Sequence, residues 1–91
     1  MSLRISGKNL DVGEALRGQA EARVAAALGK YYEGGYQGHV TVGKDGTAFK
    51  TDGVLHLSSG ITLEASATAH DPYASLDKMA ERIEKRLRRY K

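Results

Sequence analysis

Lys78, Arg82, Lys85 and Arg89 recur at steps of four, three and four residues. At about 100° per residue, that spacing sets four cations along one side of a helix. Ammonium and guanidinium groups held on a rigid rod can pair with a row of phosphates and release their counterions. Tyr73, Leu76, Ala80, Ile83, Leu87 and Tyr90 recur with the same rhythm and read as the buried stripe of that helix. Residues 72–91 hold seven Lys or Arg (Lys78, Arg82, Lys85, Arg86, Arg88, Arg89 and Lys91) against three acids (Asp77, Glu81 and Glu84). The segment therefore balances at +4 in a chain whose net charge is +3, which leaves −1 for everything else. A molecule polarised in this way suits a polyanionic partner. The competing reading is a solvated face laced with i,i+4 pairs, a spacing that Glu81–Lys85 and Glu84–Arg88 possess.

Other chemistries find little support. His39, His56 and His70 fall on different predicted elements without metal-ligand spacing. No nucleophile–base constellation is visible, and Gly7-Lys8 lacks the rest of a phosphate-binding P-loop. The reading is therefore a binding protein, not an enzyme, with no metal, cofactor or small-molecule substrate. The absence of cysteine excludes disulfides and thiolate chemistry. No apolar run is long enough to span a membrane, and Met1 to Ser6 do not resemble a signal peptide. A cytoplasmic, bacterial-type protein is the expectation.

The elements that must carry the cationic helix follow from periodicity. Ninety-one residues with 41% apolar content suit one domain with one small core. Leu3 and Ile5 alternate with polar neighbours as a short first strand, ended by Gly7-Lys8-Asn9, with Lys8 placed in the following loop. A helix starts near Gly13 or Glu14, with Leu16, Ala20, Val24, Ala27, Leu28 and Tyr31 as its inner stripe and Arg17–Glu21 as a solvent-side pair. Tyr36 to Lys44 reads as a second strand, with Val40 and Val42 opposite His39 and Thr41. Asp45-Gly46 marks a hairpin. A third strand follows from about Phe49 to Ser58, with Leu55 and Leu57 facing inward. In a fourth, Leu63, Ala65, Ala67 and Ala69 face one way. Asp71 is placed as the cap of the last helix, with Pro72 in its first turn. The expected fold is α+β in the order β-α-β-β-β-α. A four-stranded mixed sheet, parallel between strands one and two, carries two helices packed on one face.

The opening Ile5-Ser6-Gly7-Lys8-Asn9-Leu10-Asp11-Val12-Gly13-Glu14-Ala15-Leu16-Arg17 and the run from Asp71 to Lys91 together resemble the ribosome hibernation-promoting factors, also called ribosome-associated inhibitors. The similarity spans essentially the whole chain. It implies a fold similar to double-stranded RNA-binding domains with an extra first strand. It also implies a place in the small ribosomal subunit, between head and body on ribosomal RNA, where messenger and transfer RNA are excluded and translation stops reversibly. Within that resemblance, Lys78, Arg82, Lys85, Arg86 and Arg89 are the expected main RNA contacts, with Arg88 and Lys91 beside them. Arg23 and Lys30 on the first helix would extend the same surface, and Lys8 would reach a phosphate. Tyr31, Tyr32 and Tyr36 are expected to close the core, with base stacking as the other use. The family usually has Thr where Gly13 stands, so a side-chain cap is missing there. The chain reads as a single ribosome-binding domain, either a short-form protein or part of a longer two-domain one. Two other readings are a general double-stranded RNA binder and an assembly module that pairs through its exposed sheet.

Overall fold

The structure is a computed structural model and describes residues 2–8, 10, 12–32 and 34–89. Its elements are β1 (Ser2–Lys8), α1 (Glu14–Gly29), β2 (Tyr36–Asp45), β3 (Ala48–Leu57), β4 (Thr62–Ala69) and α2 (Pro72–Arg88). The strands lie in the order β1-β2-β3-β4. β1 runs parallel to β2, and the other neighbours are antiparallel. This is the β-α-β-β-β-α mixed sheet that the sequence pattern predicts. The β2–β3 turn is tight because Gly46 adopts φ +65, a conformation that Gly accepts without steric cost.

The two-residue period of the strands divides the sheet into a covered and an open face. Ile5, Val40, Val42, Thr51, Leu55, Leu57, Leu63 and Ala67 are buried beneath the helices. Leu16, Ala20, Val24, Ala27 and Leu28 of α1 meet them, as the helical period predicts. On the open face, Arg4, His39, Val54 and Glu64 form one row across the four strands, and Ser6, Thr41, Asp52 and Ser66 form the next. Lys8 belongs to this face. It is the last residue of β1, paired with Gly43, and not a loop residue. Strand parity therefore puts it on the opposite side of the sheet from the helices.

The buried arc of α2 differs from the expected stripe. Leu76, Ala80, Ile83 and Leu87 are buried, but so are Ser75 and Met79, whereas Tyr73 is 39% exposed. Including Ser75 and Met79 rotates the arc by roughly 40° about the helix axis, which turns Tyr73 out to the flank. Two features of β3 cause the rotation. Gly53 leaves room for Met79, since a Cβ there would lie 2.6 Å from Met79 Sδ. Thr51 supplies a hydroxyl to Ser75, with 2.7 Å between Oγ1 and Oγ. Ser75 Oγ donates its one proton to the Pro72 carbonyl at 2.9 Å, so Thr51 is the donor in that pair. Tyr90, the last member of the expected stripe, lies outside the described residues.

Asp71 occupies the N-cap position of α2 in extended conformation, and its carbonyl accepts from the Ser75 amide. Its exposed side chain makes no capping hydrogen bond. Pro72 follows at the first helical position, where no amide hydrogen is needed. Tyr31, Tyr32 and Tyr36 are half-buried and pack against the core. Tyr32 Oη donates to the Gly35 carbonyl at 2.6 Å and accepts from the Ser58 amide at 2.9 Å, joining two loops.

Candidate nucleic-acid interface

The site is a helix whose charges the fold has sorted by side. Two ion pairs form among the described residues, and they join α1 and its C-cap residue to α2: Arg23 Nε to Asp77 Oδ1 at 3.0 Å and Lys30 Nζ to Glu84 Oε1 at 3.2 Å. Their partners are seven residues apart on each helix, so α1 and α2 run in the same direction, two turns per strut. Arg23 also reaches the Asp77 carbonyl at 3.5 Å. None of the expected i,i+4 or solvent-side pairs, Glu81–Lys85, Glu84–Arg88 and Arg17–Glu21, forms. Glu84 is the instructive case. Its side chain is only 17% exposed, turned toward α1, and Lys30 holds it there. Arg88 is left without it.

With Asp77 and Glu84 drawn to one flank, the opposite side of α2 is almost purely cationic. Lys78, Arg82, Lys85, Arg86 and Arg89 lie there and Arg88 on the flank of Asp77 and Glu84; all six are exposed, and none has a carboxylate within ion-pair distance among the described residues. Glu81 is the one exposed acid left on the helix. Lys85, Arg86 and Arg88 fall in the last turn, where the helix dipole favours cations. That effect also lets several like charges crowd together without a partner. Arg86 and Arg89 overhang the free edge of β4 and line a cleft of about 570 Å³ with Thr62, Leu63 and Glu64. Lys85, Arg88 and Arg89 line a second hollow of about 410 Å³.

Arg82 has a further role that periodicity did not reveal. Its Nη1 donates to the carbonyl of Ser66. Ser66 lies on β4, an edge strand with unpaired backbone groups. Arg82 thus covers part of that edge while remaining exposed. Arg23 and Lys30 lie in the seam between the helices, each already facing a carboxylate, so they differ from the uncompensated cations of α2. Lys8 is on the far face of the sheet, and Lys91 lies outside the described residues. The structure therefore brings together six of the ten expected contacts on one helix. No three of the described His, Asp and Glu side chains are placed to hold a metal ion. No helix among the described residues is long and apolar enough to cross a membrane.

Residues 3–91 match the family described as Sigma 54 modulation protein / S30EA ribosomal protein. The chain belongs to that family. S30EA relatives include the ribosome hibernation promotion factor of Bradyrhizobium diazoefficiens, 58% identical over 91 residues, which are all of this chain and 45% of the relative. The factor of the same name from Rhizobium meliloti is 45% identical over the same 91 residues, 48% of its length. The chain thus spans about half the length of these two. It covers 94% of the ribosome hibernation promoting factor of Escherichia coli, at 31% identity. The Thermus thermophilus Protein Y N-terminal domain superposes with a TM-score of 0.90 at 23% identity, covering both chains fully. A ribosomal subunit interface protein from Coxiella burnetii gives 0.84 at 22% identity, over 99% of this chain and 97% of that one. At those identities the two structures show the S30EA fold. The family consists of binding proteins and not enzymes.

Proposed function

We propose that this chain is the ribosome-binding domain of a hibernation factor. It lays the cationic side of α2 on ribosomal RNA of the small subunit, in the decoding channel, and so excludes messenger and transfer RNA and silences translation reversibly in the cytoplasm. It would do so either as a short-form protein or as one domain of a longer one. The observation that carries this reading is the charge sorting: Arg23 and Lys30 take up Asp77 and Glu84, and the remaining cations of α2 are exposed with no carboxylate partner among the described residues. Cations carried on a helix in this way pair with phosphates and release their counterions, and arginine adds forked contacts and stacking. The names of the relatives support the ribosome as the target.

Cosedimentation with isolated small subunits at moderate salt tests it. The wild-type chain should pellet with the subunits, be displaced by transfer RNA with messenger RNA, and resist competition by a plain RNA duplex. A variant with Lys78→Glu, Lys85→Glu and Arg89→Glu should remain in the supernatant while keeping its circular dichroism spectrum. Undiminished pelleting of that variant would remove α2 from the interface. Equal competition by any duplex would turn the reading into general double-stranded RNA binding.

A further inference from the structure

The open face of the sheet holds a second group of nitrogen donors, on the other side from α2, whose Arg86 alone reaches round β4 to a hollow lined by Asp52, Val54 and Glu64. Arg4, His39 and Val54 are successive partners across β1, β2 and β3, and Gln37 pairs with His56 two residues along. With strands about 4.8 Å apart and a rise of about 3.3 Å per residue, the three basic residues fall within about 12 Å of one another along the backbone. They line one concavity of about 560 Å³, with Gln37 and Val54 between them. All three are exposed. Arg4 makes no hydrogen bond or ion pair to another described side chain. His56 uses Nδ1 toward Thr62 Oγ1 at 3.1 Å, and His39 uses Nε2 toward Ser6 Oγ at 2.9 Å. Each imidazole therefore keeps one nitrogen without a partner among the described residues. The hydroxyls can accept as well as donate, so both contacts survive protonation of the rings.

The surrounding charges decide when an anion is welcome. Asp52 is a diagonal neighbour of His39, and Glu64 is a diagonal neighbour of His56. Lys8, Lys50 and Asp45 lie farther off, toward the β2–β3 turn. Close to the imidazoles, two guanidiniums, Arg4 on β1 and Arg86 reaching round from α2, thus face two carboxylates among the described residues. The local balance is 0 with both rings neutral and +2 with both protonated. Histidine is the side chain that ordinarily changes charge between about pH 5 and pH 8.

We infer that Arg4, His39 and His56 form a second phosphate contact for RNA, on the opposite face from α2, that engages as the pH falls. The inference takes its ligand from the function proposed above, but its outcome is read separately. The test is binding of the 91-residue chain to a short RNA duplex, titrated with salt at about pH 8 and about pH 5.5. On acidification the log–log salt slope should steepen by about 1 to 2, for up to two added phosphate contacts. The double variant His39→Gln and His56→Gln should keep the slope it has at the higher pH. His70→Gln, at the turn into α2, should behave as wild type, and Arg4→Gln should weaken binding more at the lower pH. A wild-type slope unchanged by pH, or steepening that survives in the double variant or disappears in His70→Gln, would overturn the inference. The Lys78→Glu, Lys85→Glu and Arg89→Glu variant separates the two surfaces. RNA should still shift the His39 and His56 ring resonances in it at the lower pH, whatever happens to α2. Inorganic phosphate is the second probe, and ring shifts with phosphate but not with RNA would reassign the concavity to a free anion.

Discussion

Removing three α2 cations should change how RNA binding depends on salt far more than it changes the fold. The variant is Lys78→Gln, Lys85→Gln and Arg89→Gln. Arg82 is left in place because it holds the Ser66 carbonyl at the β4 edge. Lys78, Lys85, Arg86, Arg88 and Arg89 are exposed and unpaired among the described residues, so five phosphate contacts are available to them. At about 0.7 to 0.9 per neutralised phosphate, they account for a log–log salt slope near 4 in magnitude. Two remaining cations should leave a slope below about 2. Lys85 and Arg89 also favour the helix C-terminus, which contributes about 0.3 to 1 kcal/mol each at an exposed position. The melting temperature should therefore fall by about 2 to 16 °C, at roughly 4 to 8 °C per kcal/mol for a domain of this size. Fluorescence anisotropy with a labelled RNA hairpin at neutral pH, across a salt series, reads the slope. A control with Arg17→Gln, Lys44→Gln and Lys50→Gln removes as much charge elsewhere and should leave the slope nearly unchanged. An equal loss of slope in the two variants would mean that overall charge, and not the sorted side of α2, drives binding.

The interhelical struts should contribute little to stability. A double-mutant cycle on Arg23→Ala and Asp77→Ala should give a coupling below about 1 kcal/mol by thermal melting, because both side chains are partly solvated. Ser75→Ala should cost about 1 to 3 kcal/mol in urea unfolding, since it leaves the buried Thr51 hydroxyl and the Pro72 carbonyl short of partners. Adding Thr51→Val should recover part of that loss. Gly53→Ala should cost about 1 to 3 kcal/mol by driving a methyl group into Met79, and a smaller residue at 79 should offset some of it. Strict additivity of those two changes would show that Gly53 and Met79 do not share the space assigned to them.

Local periodicity determined much of this protein. The alternation in Leu63 to Ala69 and the three-and-four spacing of Leu16 to Leu28 specify elements and inner faces, because each element must bury one side. The order of those elements, with one helix crossover and two hairpin-type links, then leaves few sheet topologies, and the expected one is found. The helical period was also enough to put Lys78, Lys85 and Arg89 on the exposed side of α2. Tertiary structure decided what depends on a neighbour far away in the chain. Tyr73 turned outward because Gly53 and Thr51, on another element, drew Met79 and Ser75 under the helix. Glu84 lay beside Arg88 by spacing, yet its partner is Lys30, since packing α1 alongside offered a cation to a largely buried carboxylate. Lys8 and Arg82 took positions that only the strand edges and sheet faces define. A single helix can state which of its residues are charged; which of those charges stay unpaired is settled only when another helix packs beside it.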